Sequence, residues 1–282
     1  MNRRTLLRRL VLATLALAAL AYGAALATLW THQESLLFHP VPAAAAAKLD
    51  ADVQETWVDV PGARLNVLRL RRPHPDGVVL YLHGNSGNLA RWWTNLDVYR
   101  RLNLDLVMPD YRGFGRSSGQ IDSQAQLESD MRAVWNAVAA DYAGKRRIFL
   151  GRSLGTGLAA TLAAEVQPEL TVLVSPYSSM ADMAAELYPW VPTALLRYPL
   201  RTDDIVPRIH GPLLLLHGDR DALIPAEHSR RLLARAPAAR LVVVAGAGHG
   251  DIQTFPDYQQ ALEAAYLVPK ILSPASPKPG MM

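Results

Sequence analysis

Ser153 stands between glycines in Gly151-Arg152-Ser153-Leu154-Gly155, after the apolar run 148–150 and before a helix-like stretch. A serine on a sharp strand-to-helix turn is lifted above a sheet with its hydroxyl exposed, and flanking glycines relieve the crowding. The helix N-terminus behind it adds partial positive charge where an oxyanion would form. A Gly/Ser turn that merely caps a helix has the same letters, but the strand before and the helix after favour a nucleophile. A serine hydroxyl reacts poorly at neutral pH without a base. Of the eight histidines, His249 is the candidate. It sits in Gly246-Ala247-Gly248-His249-Gly250-Asp251 after the last apolar run, and loops at the carboxyl ends of parallel strands converge on one site. The base in turn needs an acid to hold its tautomer. His217-Gly218-Asp219-Arg220-Asp221 offers two carboxylates after the run 213–216. Asp221 is the choice and Asp219 the alternative, the other serving a turn or a helix cap. The chain order Ser, Asp, His is the one expected of nucleophile-elbow hydrolases.

Acyl transfer also needs donors for the oxyanion. The candidates are the backbone N–H of Asn85, in His83-Gly84-Asn85-Ser86-Gly87-Asn88, and that of Leu154 beside the serine. The glycine-rich loop carries neither GxxxxGK[ST] nor GxGxxG, which argues against a nucleotide phosphate. No metal or organic cofactor is implied. The chain has no cysteine, which excludes disulfides, thiolate metal sites and a cysteine nucleophile.

These residues must be positioned by a sheet. The apolar runs 78–82, 104–108, 148–150, 170–174, 213–216 and 241–244 are short and bounded by Gly, Pro, Asp or His, as fully buried parallel strands are. Between them lie the helix-like stretches 86–102, 123–140, 154–167 and 226–236. This alternation predicts an α/β fold with helices on both faces of a mostly parallel sheet. Residues 57–60 and 65–70 flank Pro61-Gly62 and predict a hairpin. The segment 176–210 breaks the alternation and predicts a small cap. In it, Met180, Met183, Tyr188, Trp190 and Tyr198 either line an acyl pocket or form the cap's own core. The turn Asp110–Ser117 is structural, and Arg112 within it is expected to pair with a carboxylate.

The 282 residues are ample for one large core, and 50% are apolar. The net charge of +4 is a terminal feature: Arg3, Arg4, Arg8 and Arg9 cluster at the start, and the rest is nearly neutral. That argues against nucleic-acid binding. Residues 10–30 are almost entirely apolar, and at about 1.5 Å per residue they reach roughly 31 Å, enough for a bilayer core. The organisation expected is an anchor or signal segment over 1–34, a catalytic domain over 35–270 and a disordered tail over 271–282. Pro40–Ala47 reads as a connector. An uncleaved anchor with cytoplasmic arginines would put the domain on the non-cytoplasmic side, periplasmic in a bacterium. The alternatives are export after cleavage near Ala25-Leu26-Ala27, with Arg3-Arg4 similar to a twin-arginine signal, and a buried core helix.

Taken together, the motifs resemble the α/β-hydrolase superfamily from about Trp57 to Leu267. Within it the chain is similar to the membrane-anchored Bem46-type serine hydrolases, related to the groups of α/β-hydrolase domain-containing proteins 12, 13 and 17. Leu36-Leu37-Phe38-His39-Pro40 and Asp110-Tyr111-Arg112-Gly113-Phe114-Gly115-Arg116-Ser117 join the four motifs above in carrying the resemblance. It implies an α/β-hydrolase fold, a triad of Ser153, Asp221 and His249, and an oxyanion hole from the Asn85 and Leu154 N–H groups. Such proteins often have Asn after the catalytic histidine, where this chain has Gly250. The expected activity is cleavage of a small-molecule or lipid-like ester or thioester, with the membrane met through the N-terminal helix. The rivals are a serine peptidase on the same fold and an inactive, membrane-tethered binding module.

Overall fold

A computed structural model describes residues 2–43 and 49–267. The tail 271–282 and residues 44–47 of the connector lie outside the described residues. The chain opens with α1 (Arg3–Thr31), α2 (Gln33–Leu37) and the two-residue strand β1 (His39–Pro40). The expected hairpin follows as β2 (Val53–Val60) and β3 (Ala63–Leu70), turning at Gly62, whose φ of +77° suits glycine. Next come β4 (Gly77–Leu82), β5 (Ser86–Gly87), α3 (Leu89–Trp92), α4 (Leu96–Arg101), β6 (Leu104–Pro109) and α5 (Gln124–Ala139). The second half holds β7 (Arg146–Arg152), α6 (Gly155–Val166), β8 (Leu170–Val174), α7 (Met180–Leu187), α8 (Thr202–Ile205), β9 (Leu213–Gly218), α9 (Glu227–Arg235), β10 (Arg240–Val244) and α10 (Pro256–Leu267).

Eight strands form one sheet in the order β10-β9-β8-β7-β4-β6-β3-β2. Only β3 runs antiparallel to its neighbours; the remaining pairs are parallel. Side chains alternate faces along a strand. In β4, Val78, Leu80 and Leu82 join one apolar cluster with Met131 and Trp135 of α5 and Leu158 of α6. Val79 joins the other, with Tyr99 of α4 and Tyr258, Leu262 and Tyr266 of α10. Burial on both faces explains why these strands read as unbroken apolar runs. Each fully buried leucine of this kind contributes about 1.5–3 kcal/mol relative to exposure, which pins the register.

The chain leaves β4 for β6 on one side and returns to β7 on the other. The crevice at such a switch point, outside the carboxyl ends of the strands, is where open α/β sheets bind ligands. Residues 83–88 and 152–155 border it.

Two expectations need correction. Residues 86–102 are not one helix. Asn88 Oδ1 caps the short α3 by accepting from the Ala90 N–H at 3.0 Å, and Asn95 then takes a left-handed φ of 56° that breaks the helix before α4. Pro40 is not loose connector: β1 pairs in parallel with β5. α10 has no counterpart among the expected helices. α1 buries no residue, and its most apolar window has a mean hydropathy of 2.2. A core helix hides at least one stripe, so the buried-core alternative falls. Its length and apolarity suit a membrane span or an export signal.

Candidate active site

β7 runs straight into the turn that carries Ser153. The serine backbone has φ +50°, a left-handed conformation that costs a non-glycine residue of order 1–3 kcal/mol. Its neighbours must be small. A Cβ on Gly155 would lie 2.0 Å from the Leu82 carbonyl oxygen, and one on Gly151 would lie 2.4 Å from the Gly155 carbonyl oxygen. The strand, the helix and β4 are thus packed backbone to backbone, and this close packing holds the strained residue in place.

His249 lies between two other side chains. Its Nε2 is 3.0 Å from Ser153 Oγ and its Nδ1 is 2.7 Å from Asp221 Oδ2. An ionised carboxylate only accepts, so Nδ1 carries the hydrogen and the Nε2 lone pair faces the serine hydroxyl. Burial opposes ionisation of Asp221, but hydrogen bonds from His217, His249 and the Ile224 backbone N–H outweigh it and hold the carboxyl well below the usual carboxylate range. Of the two imidazoles, His249 is the closer donor. His217 Nε2 stands 3.5 Å from Asp221 Oδ2 and shares its hydrogen with the Ile224 carbonyl at 2.7 Å. Asp221 also accepts from the Leu223 and Ile224 N–H groups at 3.0 and 2.8 Å, which fixes its orientation. The alternative acid, Asp219, accepts from the Gly246 N–H at 2.6 Å; it holds the loop that carries His249 and does not reach the ring.

Leu82 of β4 is registered against Gly151 of β7, so the loops after these strands are neighbours. A Cβ on Gly84 would lie 3.6 Å from Ser153 Cβ. The backbone N–H groups of Asn85 and Leu154 have no hydrogen-bond partner among the described residues. The Asn85 loop is tied down by the segment after α2. His39 N–H donates to the Asn85 carbonyl at 2.8 Å, and Asn85 Nδ2 donates to the Leu37 carbonyl at 2.8 Å. Asn88 Nδ2 donates to the Val41 carbonyl at 2.9 Å. The Leu37 and His39 contacts with Asn85 give the Leu36–Pro40 motif a role.

One feature of the site is not evident from sequence patterns. Arg152, 4% exposed, donates from Nη2 to the His249 carbonyl at 2.6 Å. Its guanidinium lies 5.9 Å from the Trp92 ring centre. The elbow pattern leaves this position free, so nothing in the motif marks it. Arg112 pairs with Asp130 away from the cavity, with contacts of 2.5 and 2.9 Å.

A cavity of about 530 Å³ opens beside Ser153 and His249, bounded by Asn85, Trp92, Arg152 and Tyr258 among others. The five cap residues considered for an acyl pocket are not among its walls. Met180 and Met183 pack on the core, Tyr198 is fully buried against Phe38, and Tyr188 and Trp190 are half exposed. Among the described residues, no group of three or more His, Asp or Glu side chains is arranged to hold a metal ion.

A family model described as serine aminopeptidase S33 matches residues 73–202, and one described as TAP-like protein matches residues 194–268. An uncharacterized protein of Mycobacterium tuberculosis is 32% identical over 254 residues, covering 85% of this chain and 88% of its own length. Alpha/beta hydrolase domain-containing protein 17C of Xenopus tropicalis is 29% identical over 223 residues, covering 77% of this chain and 70% of its own. An esterase of Pyrococcus furiosus superposes with a TM-score of 0.65 at 19% identity, over 82% of this chain and 97% of its own, a likeness of fold.

Proposed function

This chain belongs to the α/β-hydrolase superfamily, in its Bem46-like type, and is a serine hydrolase; from that premise we propose that it cleaves carboxylic ester or thioester bonds through Ser153, His249 and Asp221. The observation that carries the reading is His249, 3.0 Å from Ser153 Oγ on one side and 2.7 Å from Asp221 on the other.

In the first half-reaction Ser153 Oγ bonds to the carbonyl carbon as its proton passes to His249 Nε2. The carbonyl oxygen gains negative charge and is received by the Asn85 and Leu154 N–H groups. The tetrahedral species collapses, and the alcohol or thiol leaves with the proton from His249. In the second half a water gives its proton to His249 and attacks the acyl-serine. Collapse returns that proton to Ser153 and releases the carboxylic acid. One water is consumed for each bond cleaved. Asp221 remains ionised and stabilises the imidazolium in both halves.

A second reading, peptide-bond cleavage by the same residues, is favoured by the aminopeptidase description of the model matching 73–202. The same proposal extends to location. α1 serves as a single membrane anchor with Arg3, Arg4, Arg8 and Arg9 on the cytoplasmic side and the domain on the other. Its support is the 29-residue length of α1, its apolarity and the absence of any buried residue in it. The mass of the mature N-terminus separates an anchor from a cleaved export signal.

The test is fluorophosphonate labelling of the full chain in detergent, beside Ser153→Ala and His249→Ala. A series of p-nitrophenyl esters and aminoacyl p-nitroanilides accompanies it. Labelling that disappears in Ser153→Ala, with ester turnover, supports the esterase. Turnover of anilides alone favours the peptidase, and a folded parent that neither labels nor turns over any substrate sinks both.

A further inference from the structure

Burying a charge without a counter-charge is expensive, so buried cations are normally paired. The charged groups around the cavity beside Ser153 divide on this point. Arg101 pairs with Glu263, and Asp97 pairs with Arg100. Arg91 and Arg152 also line the cavity, yet among the described residues neither has a carboxylate partner. Arg152 is 4% exposed, and its Nε is buried with no hydrogen-bond partner. A guanidinium offers five N–H donors, and for Arg152 the hydrogen bond to the His249 carbonyl uses one of them. Stacking near Trp92 holds the group in place without neutralising it. The cavity wall next to the nucleophile therefore carries two uncompensated guanidinium groups, one of them nearly fully buried.

We infer that this cavity takes esters bearing an anionic group, a carboxylate or a phosphate, which Arg152 and Arg91 bind while Ser153 meets the carbonyl. The inference rests on the serine-hydrolase reading above and names its substrate class. A planar guanidinium matches either anion through paired N–H donors. Arg152 has a second consequence as a positioning residue. The N–H that it spends on the His249 carbonyl links occupancy of the anion site to the placement of the base.

Matched pairs of substrates test this with the full chain in detergent. p-Nitrophenyl hemisuccinate against p-nitrophenyl butyrate places a carboxylate on the acyl side. 1-Butyrylglycerol 3-phosphate against 1-butyrylglycerol places a phosphate on the alcohol side. Hydrogen bonds to charged groups predict a kcat/KM advantage of about tenfold to a hundredfold for the anionic member of at least one pair, and the favoured pair tells an acyl-side carboxylate from an alcohol-side phosphate. Arg152→Gln is expected to remove most of that ratio and Arg91→Gln, at an exposed position, part of it. Should Arg152→Gln fail to fold, Arg91→Gln still decides. Equal or better turnover of the neutral members overturns the anion site and leaves the esterase standing. If no ester is cleaved, the esterase reading fails, and calorimetry of monomethyl succinate and glycerol 3-phosphate on Ser153→Ala decides the anion site independently. Binding that weakens when Arg91→Gln is added upholds it, and no binding of either anion, or binding that Arg91→Gln leaves unchanged, overturns it.

Discussion

The Tyr22 hydroxyl donates to the Trp190 carbonyl at 2.8 Å, and the two rings meet edge-on with centroids 6.4 Å apart. This contact joins the last third of the apolar helix to the cap segment just after α7. Nine residues separate Tyr22 from Thr31, the end of α1, which is roughly 13 Å along the axis at about 1.5 Å per residue. A second set of contacts pins the cap just beyond the helix. Gln33 Nε2 donates to the Leu195 carbonyl at 2.8 Å, and Glu34 accepts from the Tyr198 hydroxyl at 2.7 Å and pairs with Arg197 at 2.6 Å. With α1 across a bilayer, the cap therefore reaches down beside it. Its exposed Leu187, Tyr188 and Trp190 are the apolar and amphipathic types found at membrane interfaces. The chain has no cysteine, so single spin labels are clean probes. In nanodiscs, labels at Leu187→Cys and Trp190→Cys should be relaxed by oxygen more than by a water-soluble nickel chelate, as at Leu17→Cys in the helix. A label at Asp59→Cys should show the reverse. Lipid access at Leu17→Cys with water access at Trp190→Cys would leave the anchor intact and lift the cap off the membrane.

Gly155 and Gly250 flank the site and should respond oppositely to an added methyl. At Gly155 the new Cβ would meet the Leu82 carbonyl oxygen at 2.0 Å, and backbone cannot step aside there. Gly155→Ala is expected to cost about 3 kcal/mol or more, at the upper end of overpacking. A Cβ on Gly250 meets nothing within 4 Å, so Gly250→Ala should change stability by no more than about 0.5 kcal/mol. Thermal melts of the two variants against the parent measure this contrast directly. It also bears on the departure noted after His249, since a small side chain in place of Gly250 finds room.

Asp221 sets the acid side of stability. Its carboxyl is held below the usual range in the folded chain, against about 3.9 when unfolded. A depressed folded value means that ionised Asp221 stabilises the fold at every pH above about 4, and that this contribution fades as acid titrates it. The difference in urea midpoint between the parent and Asp221→Asn should therefore be widest near neutrality and shrink below about pH 4. A difference that stays constant down to pH 3 would show that the carboxylate charge is not what stabilises. Turnover in Asp221→Asn should fall by roughly four orders of magnitude, because an amide can offer Nδ1 of His249 the wrong hydrogen-bond partner and so the wrong tautomer.

The sheet was legible because its strands are buried on both faces. Leu213 and Leu215 face one cluster while Leu214 and Leu216 face the other, so the run carries no polar interruption. The elbow was legible because a φ of +50° at Ser153 and backbone contact at Gly151 and Gly155 restrict residue types locally. The break at Asn95 was not, since a left-handed asparagine is one choice among several until tertiary packing selects it. α10 did leave a signal, Pro256 at its start and Tyr258, Leu262 and Tyr266 four apart, that periodicity could have caught. The walls of the cavity came from α3, α4 and α10, not from the cap, and no pattern in 176–210 could reveal that. Arg152 stayed hidden because only its contacts distinguish it from any residue in the free position of the motif.

Arg112 and Asp130 offer a test of what a buried ion pair does here. The pair ties the turn after β6 to α5, with both side chains under 5% exposed. Arg112 also donates to the Pro61 carbonyl at 2.9 Å and so reaches the β2–β3 hairpin. Removing one partner strands the other charge in a dry environment. Asp130→Ala is expected to cost about 3–5 kcal/mol, whereas replacing both partners by apolar residues of similar size avoids the stranded charge. The double variant Arg112→Met with Asp130→Leu should thus recover most of the loss, short of the hydrogen bond to Pro61. Urea unfolding of the single and double variants gives the coupling. If the double variant is as unstable as Asp130→Ala, the cost lies in the lost link between hairpin and helix and not in the unpaired charge. Turnover adds a second reading. Neither residue lines the cavity, so the folded fraction of each variant should keep parental kcat, and a drop in kcat at full folding would mean that this turn also sets the geometry of the site.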